Sequence, residues 1–105
     1  WYNKVLAKFP VGSKFLIFSD KLVDIKSMLS SLEGIYDMQF VDENTFSSLY
    51  IMSQCNGHVV DCSTYSFWGA YLDVKQPNVQ TICNAYLKHV LTPNSIPYKE
   101  WEFIM

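Results

Sequence analysis

Four short runs of strand-forming residues punctuate the chain, and helically spaced segments fill the intervals. Phe15-Leu16-Ile17-Phe18 is the clearest run, apolar throughout and closed by Ser19-Asp20. Such a run suits a buried strand followed by a helix cap. Leu22, Ile25, Met28, Leu29 and Leu32 then recur at helical spacing as far as Gly34. Asp37 to Val41 reads as a second, more polar strand. Phe46 to Cys55 reads as a helix with Phe46, Leu49, Tyr50 and Met52 on one side. Gly57-His58-Val59-Val60 is a third strand. The spacing predicts a helix from Tyr65 to Leu72, entered through Ser63 and Thr64, and Pro77 separates it from a strand over Asn78 to Cys83. Ahead of all these, Tyr2 to Phe9 predicts a short helix with Val5 and Leu6 inward, broken by Pro10-Val11-Gly12-Ser13. The tail, with Pro93, Pro97, Trp101 and Phe103, is expected to wrap back onto the body.

Strands separated by whole helices need crossover connections, and crossovers make parallel sheets. With right-handed crossovers the expectation is a three-layer α/β domain with a mainly parallel sheet. Ligands of such sheets sit at the carboxyl ends of the strands. Those ends carry Ser19-Asp20, Val41-Asp42, Asp61-Cys62-Ser63 and Cys83-Asn84.

Composition narrows the function. The 105 residues suit one domain, and 50% hydrophobic with 16% aromatic residues excludes a disordered chain. No run approaches the roughly 18 apolar residues of a membrane span. The start, Trp1-Tyr2-Asn3-Lys4, carries no signal pattern, and a first residue other than Met reads as a fragment or a processed product. All 8 cations are Lys, against 10 acidic residues and a net charge of -2. Without Arg the chain does not suit nucleic acid. Any diphosphate it holds must rest on backbone N–H groups, hydroxyls and Lys, since Arg is the usual bidentate clamp. Cys55, Cys62 and Cys83 lack CxxC spacing and read as small buried side chains in a reducing, hence cytoplasmic, compartment. Neither they nor the lone His58 and His89 offer zinc-ligand spacing. The 4 glycines are too few for a Walker or dinucleotide loop.

Val59-Val60-Asp61-Cys62-Ser63-Thr64-Tyr65 is the strongest constellation. A strand runs into two hydroxyl residues and then a helix, whose N-terminus favours anions. Ser63 or Thr64 reads equally as a plain helix cap, and Asp61 would repel a phosphate unless it points away or is paired. Phe67, Trp68, Tyr71 and Leu72 read as core packing, with Gly69 and Ala70 allowing close approach to the sheet. Asp20 either accepts from a base edge or a ribose hydroxyl, or caps the helix at Leu22. Asp42, Glu43 and Asn44 read the same way for the next helix. Asp20 and Asp61, each ending a strand, also keep open a receiver-like signalling module, although Thr81-Ile82-Cys83-Asn84 lacks the Lys such a module needs.

Tyr2-Asn3-Lys4, Phe15-Leu16-Ile17-Phe18-Ser19-Asp20, Leu49-Tyr50-Ile51-Met52-Ser53-Gln54-Cys55 and Ser63-Thr64-Tyr65-Ser66-Phe67-Trp68-Gly69-Ala70-Tyr71-Leu72, in that order, resemble the C-terminal part of α-1,2-fucosyltransferases, glycosyltransferase family 11. Pro97-Tyr98-Lys99-Glu100-Trp101 resembles that family's end. The resemblance implies a GT-B enzyme with two Rossmann-like lobes, of which residues 1–105 would be the C-terminal, nucleotide-sugar-binding lobe. It implies GDP-fucose as donor, a glycan hydroxyl as acceptor, inversion, and no metal or other cofactor. Ser63, Thr64 and Tyr65 would hold the β-phosphate, and Asp20 would lie near the nucleoside. The family has Asn at Cys62 and Phe at Tyr65. It has an acidic residue, expected to contact guanine, at Ser48, where Asp42 or Glu43 would have to substitute. Its His-x-Arg-Arg-x-Asp motif precedes the region matched here, so the leaving group's Arg and an N-terminal lobe would lie upstream. A degenerate, non-catalytic transferase lobe is the alternative that lacks this motif, and a Golgi-lumen location is the alternative if the full protein carries an anchor.

Overall fold

The computed structural model of the chain describes residues 1–90 and 96–105, with side chains over 1–88 and 96–105. Its helices are α1 (Tyr2–Leu6), α2 (Leu22–Met28), α3 (Thr45–Ser53), α4 (Thr64–Tyr71) and α5 (Leu87–Val90), and its strands are β1 (Lys14–Phe18), β2 (Asp37–Val41), β3 (Gly57–Val60), β4 (Gln80–Asn84) and β5 (Glu102–Ile104). The architecture is α/β with short parallel sheets. The strands divide into two sheets, β1-β2 and β3-β4-β5, each pairing parallel, in place of the single sheet that the alternation predicts. Two compact units result, Trp1–Ser48 and Leu49–Met105, with the division inside α3.

The burial of the strands accounts for the split. A central parallel strand must be covered on both faces. β1 is apolar yet only half-buried, and β2 exposes Asp37 and Gln39. Neither can sit in the middle of a larger sheet. β4 can: Thr81, Ile82 and Cys83 are all buried, and β4 lies between β3 and β5. The wrapped tail is observed as β5, with Ile82, Cys83 and Asn84 opposite Glu102, Phe103 and Ile104. Pro93 lies outside the described residues.

In the first unit, α1 buries Val5 and Leu6 as its spacing predicts. It is followed by a turn in which Ser13 N–H donates to the Pro10 carbonyl at 3.1 Å and Gly12 has φ 88. That φ belongs to the third position of a type II turn, which glycine fills without strain. α2 stops at Met28, short of Leu32. Ser30 explains the stop, since its hydroxyl and its N–H both donate to the Ser27 carbonyl, at 2.9 and 3.3 Å, and tighten the last turn. α3 is capped by Asn44, whose Oδ1 accepts from Ser47 N–H at 2.8 Å. Its expected apolar face is borne out at Met52, which is buried, and corrected at Phe46 and Tyr50, which are exposed while Ser48 and Ser53 are buried.

The second unit has a core of Val60, Ala70, Cys83, Leu87 and Trp101, with Phe67, Tyr98 and Phe103 packed against it. Val60 and Leu87, withdrawn from water here, contribute about 1.5–3 kcal/mol each. α4 reaches this core through its smallest residues, Gly69 and Ala70. The close approach at Gly69 is to α3 rather than to the sheet: a methyl group there would lie 2.8 Å from Met52 Cβ. The large side chains of α4 are consequently displaced to its flanks. Trp68, Tyr71 and Leu72 are 49%, 40% and 46% exposed, which corrects their reading as core. Phe67 alone of the four packs on the core, stacked with Tyr71 at 6.1 Å and edge-on to Trp101 at 5.6 Å.

The starts of β3 and β4 are closed by a buried polar network. His58 Nε2 lies 2.7 Å from Asp73 Oδ2, and Lys75 Nζ lies 2.8 Å from Asp73 Oδ1. The Lys75 N–H donates to the same Oδ1 at 2.9 Å. Beside it, Gln76 Nε2 donates to Thr81 Oγ1 at 3.0 Å and to the Ala70 carbonyl at 3.1 Å, while Trp101 Nε1 donates to Gln76 Oε1 at 3.2 Å. The Gln76-Pro77 peptide bond is cis. His58, a lone histidine in the sequence, is thus a structural residue with a buried partner fifteen residues away. No helix among the described residues is long and apolar enough to cross a membrane.

Candidate functional site

The carboxyl end of β3 leads directly into α4, and this junction brings Asp61, Ser63, Thr64, Tyr65 and Asn84 together. Ser63 is the N-cap, with extended backbone at φ -136 and ψ 136, and its hydroxyl oxygen accepts from Ser66 N–H at 3.1 Å. The capping reading of Ser63 is therefore correct, and it does not consume the residue. A hydroxyl carries one donor beside its two acceptor lone pairs. Capping uses the oxygen and not the hydroxyl proton. Thr64 occupies the first helical position and is exposed. Tyr65 follows it, half-buried. By helix geometry the first N–H groups of α4 point away from its own carbonyls and toward whatever lies before the helix.

The turn is fixed from behind. The Asp61 carbonyl accepts from Ser63 N–H at 2.7 Å and from Ser66 Oγ at 3.4 Å. Ser66 Oγ also donates to the Ser63 carbonyl at 3.0 Å. The Asp61 carboxylate is paired, as an anion site requires, although with an amide rather than a Lys: Asn84 Nδ2 donates to its Oδ1 at 3.0 Å. Val60 and Cys83 are register partners, so Asp61 and Asn84 stand one step further along the two strands.

The other predicted residues belong to the first unit. Asp20 is exposed and does not cap α2; Lys21 holds the cap position, and its N–H donates to Ser19 Oγ at 3.0 Å. Ser48 is buried, and its hydroxyl donates to the Glu43 carbonyl at 3.4 Å, so it turns into α3 rather than outward. Asp42 and Glu43 are exposed carboxylates just before that helix.

The cysteines do not share one environment. Cys83 is buried, Cys55 half-buried and Cys62 exposed, which corrects the reading of all three as buried. Burial pushes the Cys83 thiol up to about 12. The Cys55 thiol is also raised, by burial first and against the pull of Lys75. The Cys62 thiol is raised by desolvation first and then by the charge of the adjacent Asp61. His58 is held below its ordinary value of 6.5, chiefly by burial, which outweighs the hydrogen bond to Asp73. For Asp73 burial acts upward, but hydrogen bonds from Lys75 and His58 outweigh it and hold the carboxyl below 3.8. The pair is therefore a neutral imidazole donating to an ionised carboxylate. His89 lies outside the described side chains.

Sequence reasoning missed Asn84 and Asp73 as partners. Each bond joins residues far apart in sequence, and only strand register and the return of the chain after α4 bring them together.

Neither a curated protein nor a solved structure matches the chain. The model of the glycosyl transferase family 11 does, over residues 2–105, and this span includes both units and the whole β3–α4 junction. With the resemblance carried by Ser63 through Leu72 now matched across nearly every residue, the chain belongs to glycosyl transferase family 11.

Proposed function

We propose that this chain is the donor-binding part of a fucosyltransferase that moves L-fucose from GDP-fucose to a sugar hydroxyl. The reading extends to the C-terminal, Rossmann-like lobe of a GT-B enzyme, inverting and metal-independent, completed by an N-terminal lobe. The observation that carries it is the family match over residues 2–105, to which the exposed Ser63 and Thr64 at the β3–α4 junction add a place for an anion. The receiver-like reading gives way to this match.

In this reading Thr64 donates its hydroxyl and N–H to the β-phosphate, Ser63 donates its remaining proton, and Tyr65 follows at the same helix end. Asp20 lies toward the nucleoside. Ser48, turned inward, leaves any guanine contact to Asp42 or Glu43. Charge accumulates on the β-phosphate oxygens as the anomeric bond breaks, and preorganised donors there lower the barrier by about 2.7–4 kcal/mol each when aligned as in an oxyanion hole. The Arg that neutralises GDP would come from the upstream motif.

Calorimetric titration with GDP tests the reading. Thr64→Ala removes a donor to a charged group, worth about 1.5–3 kcal/mol, so affinity falls by about tenfold or more. UDP binds more weakly than GDP if a carboxylate reads guanine. Undetectable GDP binding, both in this chain and in a longer one carrying the His-x-Arg-Arg-x-Asp motif, would refute the proposal.

A further inference from the structure

Asp61 poses a problem for any anion at the β3–α4 junction, and the structure contains its solution. The residue lies two positions before the cap of α4, and its carbonyl is tied to the first turn by Ser63 N–H at 2.7 Å. An unheld carboxylate at this place would be drawn to the positive end of the helix. There it would occupy the donors a phosphate needs and repel the phosphate as well. In the structure it is held elsewhere. Asn84 Nδ2 donates to Asp61 Oδ1 at 3.0 Å. Asn84 is itself fixed from its other side, because its Oδ1 accepts from Tyr86 N–H at 2.9 Å. That second bond sets the amide's orientation. With the oxygen turned to Tyr86, the nitrogen has to face Asp61.

We propose that Asn84 is a positioning residue for the donor diphosphate: its amide restrains the Asp61 carboxylate and keeps it off the first turn of α4. The inference rests on the reading of Thr64 and its neighbours as the phosphate contact. It adds a residue that acts on that contact only through Asp61. Asn84 suits the role because an amide is one of the few side chains that can accept from a backbone N–H and donate to a carboxylate at once. Asp at this position would place two carboxylates together, and Ala would remove the amide that holds Asp61 Oδ1.

A double-mutant cycle read by GDP calorimetry tests this. Asn84→Ala is expected to weaken GDP binding about tenfold, or 1.4 kcal/mol. Adding Asp61→Asn to Asn84→Ala removes the released charge and is expected to restore the affinity to within about twofold of the wild type. A merely structural role for Asn84 gives the opposite pattern, with the double variant as weak as Asn84→Ala. That result overturns the proposal, as does equal GDP binding by wild type and Asn84→Ala; both leave the phosphate site standing. Absence of GDP binding by the wild type, with or without the upstream motif, overturns the site and this proposal together. If Asn84→Ala does not fold, Asn84→Ser takes its place in the same cycle, since its hydroxyl serves Tyr86 N–H but is too short to reach Asp61.

Discussion

Replacing Asp73 with Ala should destabilise the second unit more than any exposed charge removal in the chain. The Asp73 side chain is 0% exposed and accepts from His58 at 2.7 Å, from Lys75 Nζ at 2.8 Å and from Lys75 N–H at 2.9 Å. These bonds do not contribute equally. Lys75 is 44% exposed, so its ammonium regains water when the carboxylate is removed, and that ion pair adds less than about 1 kcal/mol. His58 is buried, and its ring N–H is left without a partner at a cost of about 1–3 kcal/mol. Losing the short turn bond to Lys75 N–H adds about 0.5–1.5 kcal/mol. The sum is about 3 kcal/mol, a large share of the roughly 5–15 kcal/mol available to a domain. It corresponds to a melting temperature lower by roughly 10–20 °C. Urea unfolding followed by tryptophan fluorescence measures it. Asp73→Asn keeps an acceptor for the turn and should lose about half as much. A change under about 0.5 kcal/mol in Asp73→Ala would show that the network does not hold the unit together.

Further outcomes follow from the same structure. His58 titrates below 6.5 when folded, so the unfolded chain takes up the proton first; stability is fully present above that value and falls as the pH drops below it. Asp73 adds a second loss as the pH falls below 3.8, and His58→Gln should flatten only the limb near 6.5 in urea midpoints recorded across pH. Gly69→Ala places a methyl 2.8 Å from Met52 Cβ, so overpacking of about 1–3 kcal/mol outweighs a helix-propensity gain of about 1 kcal/mol, read as a lower urea midpoint. In timed alkylation with mass mapping, exposed Cys62 should be labelled well before Cys83, whose thiol is buried and pushed up to about 12.

The elements were legible in the sequence because periodicity and caps are local. Val5 and Leu6 face inward, Asp37–Val41 and Gly57–Val60 form strands with the expected bounds, and the helix entered through Ser63 begins at Thr64. Periodicity did not say how strands share partners. The run Phe15 to Phe18 suggested a strand covered on both faces, but it pairs only with a half-wet neighbour and stays half-buried. Nor did it give the facing of aromatic residues. Phe46, Tyr50, Trp68 and Tyr71 stand at plausible core spacing, yet all four are exposed, and of the α4 rings proposed as core only Phe67 packs on it. At the candidate site the chain order gave Ser63, Thr64 and Tyr65, because cap and helix start are neighbours. The Asn84 contact to Asp61 spans 23 residues and depends on register. His58 looked solitary for the same reason.

The two ends of the β3-β4 pair divide the work of the second unit. At the strand starts, His58, Asp73, Gln76, Thr81 and Trp101 form bonds that are mostly buried, and among the described residues no buried side-chain polar atom lacks a partner. At the strand ends, Ser63 and Thr64 are exposed and the Asp61 carboxylate accepts from the Asn84 amide. In the proposed reading this junction contributes little to stability, because its donors would find their partner only when the anion arrives. The opposite end has to supply the order instead. Substitutions at His58 or Asp73 should therefore move the unfolding transition and change GDP affinity only through the folded fraction. Substitutions at Thr64 or Asn84 should do the reverse. A variant such as Asp73→Asn that weakened GDP binding while its folded fraction stayed full would break this division, and would mean that the closed end transmits its geometry through β3 and β4 to the open one.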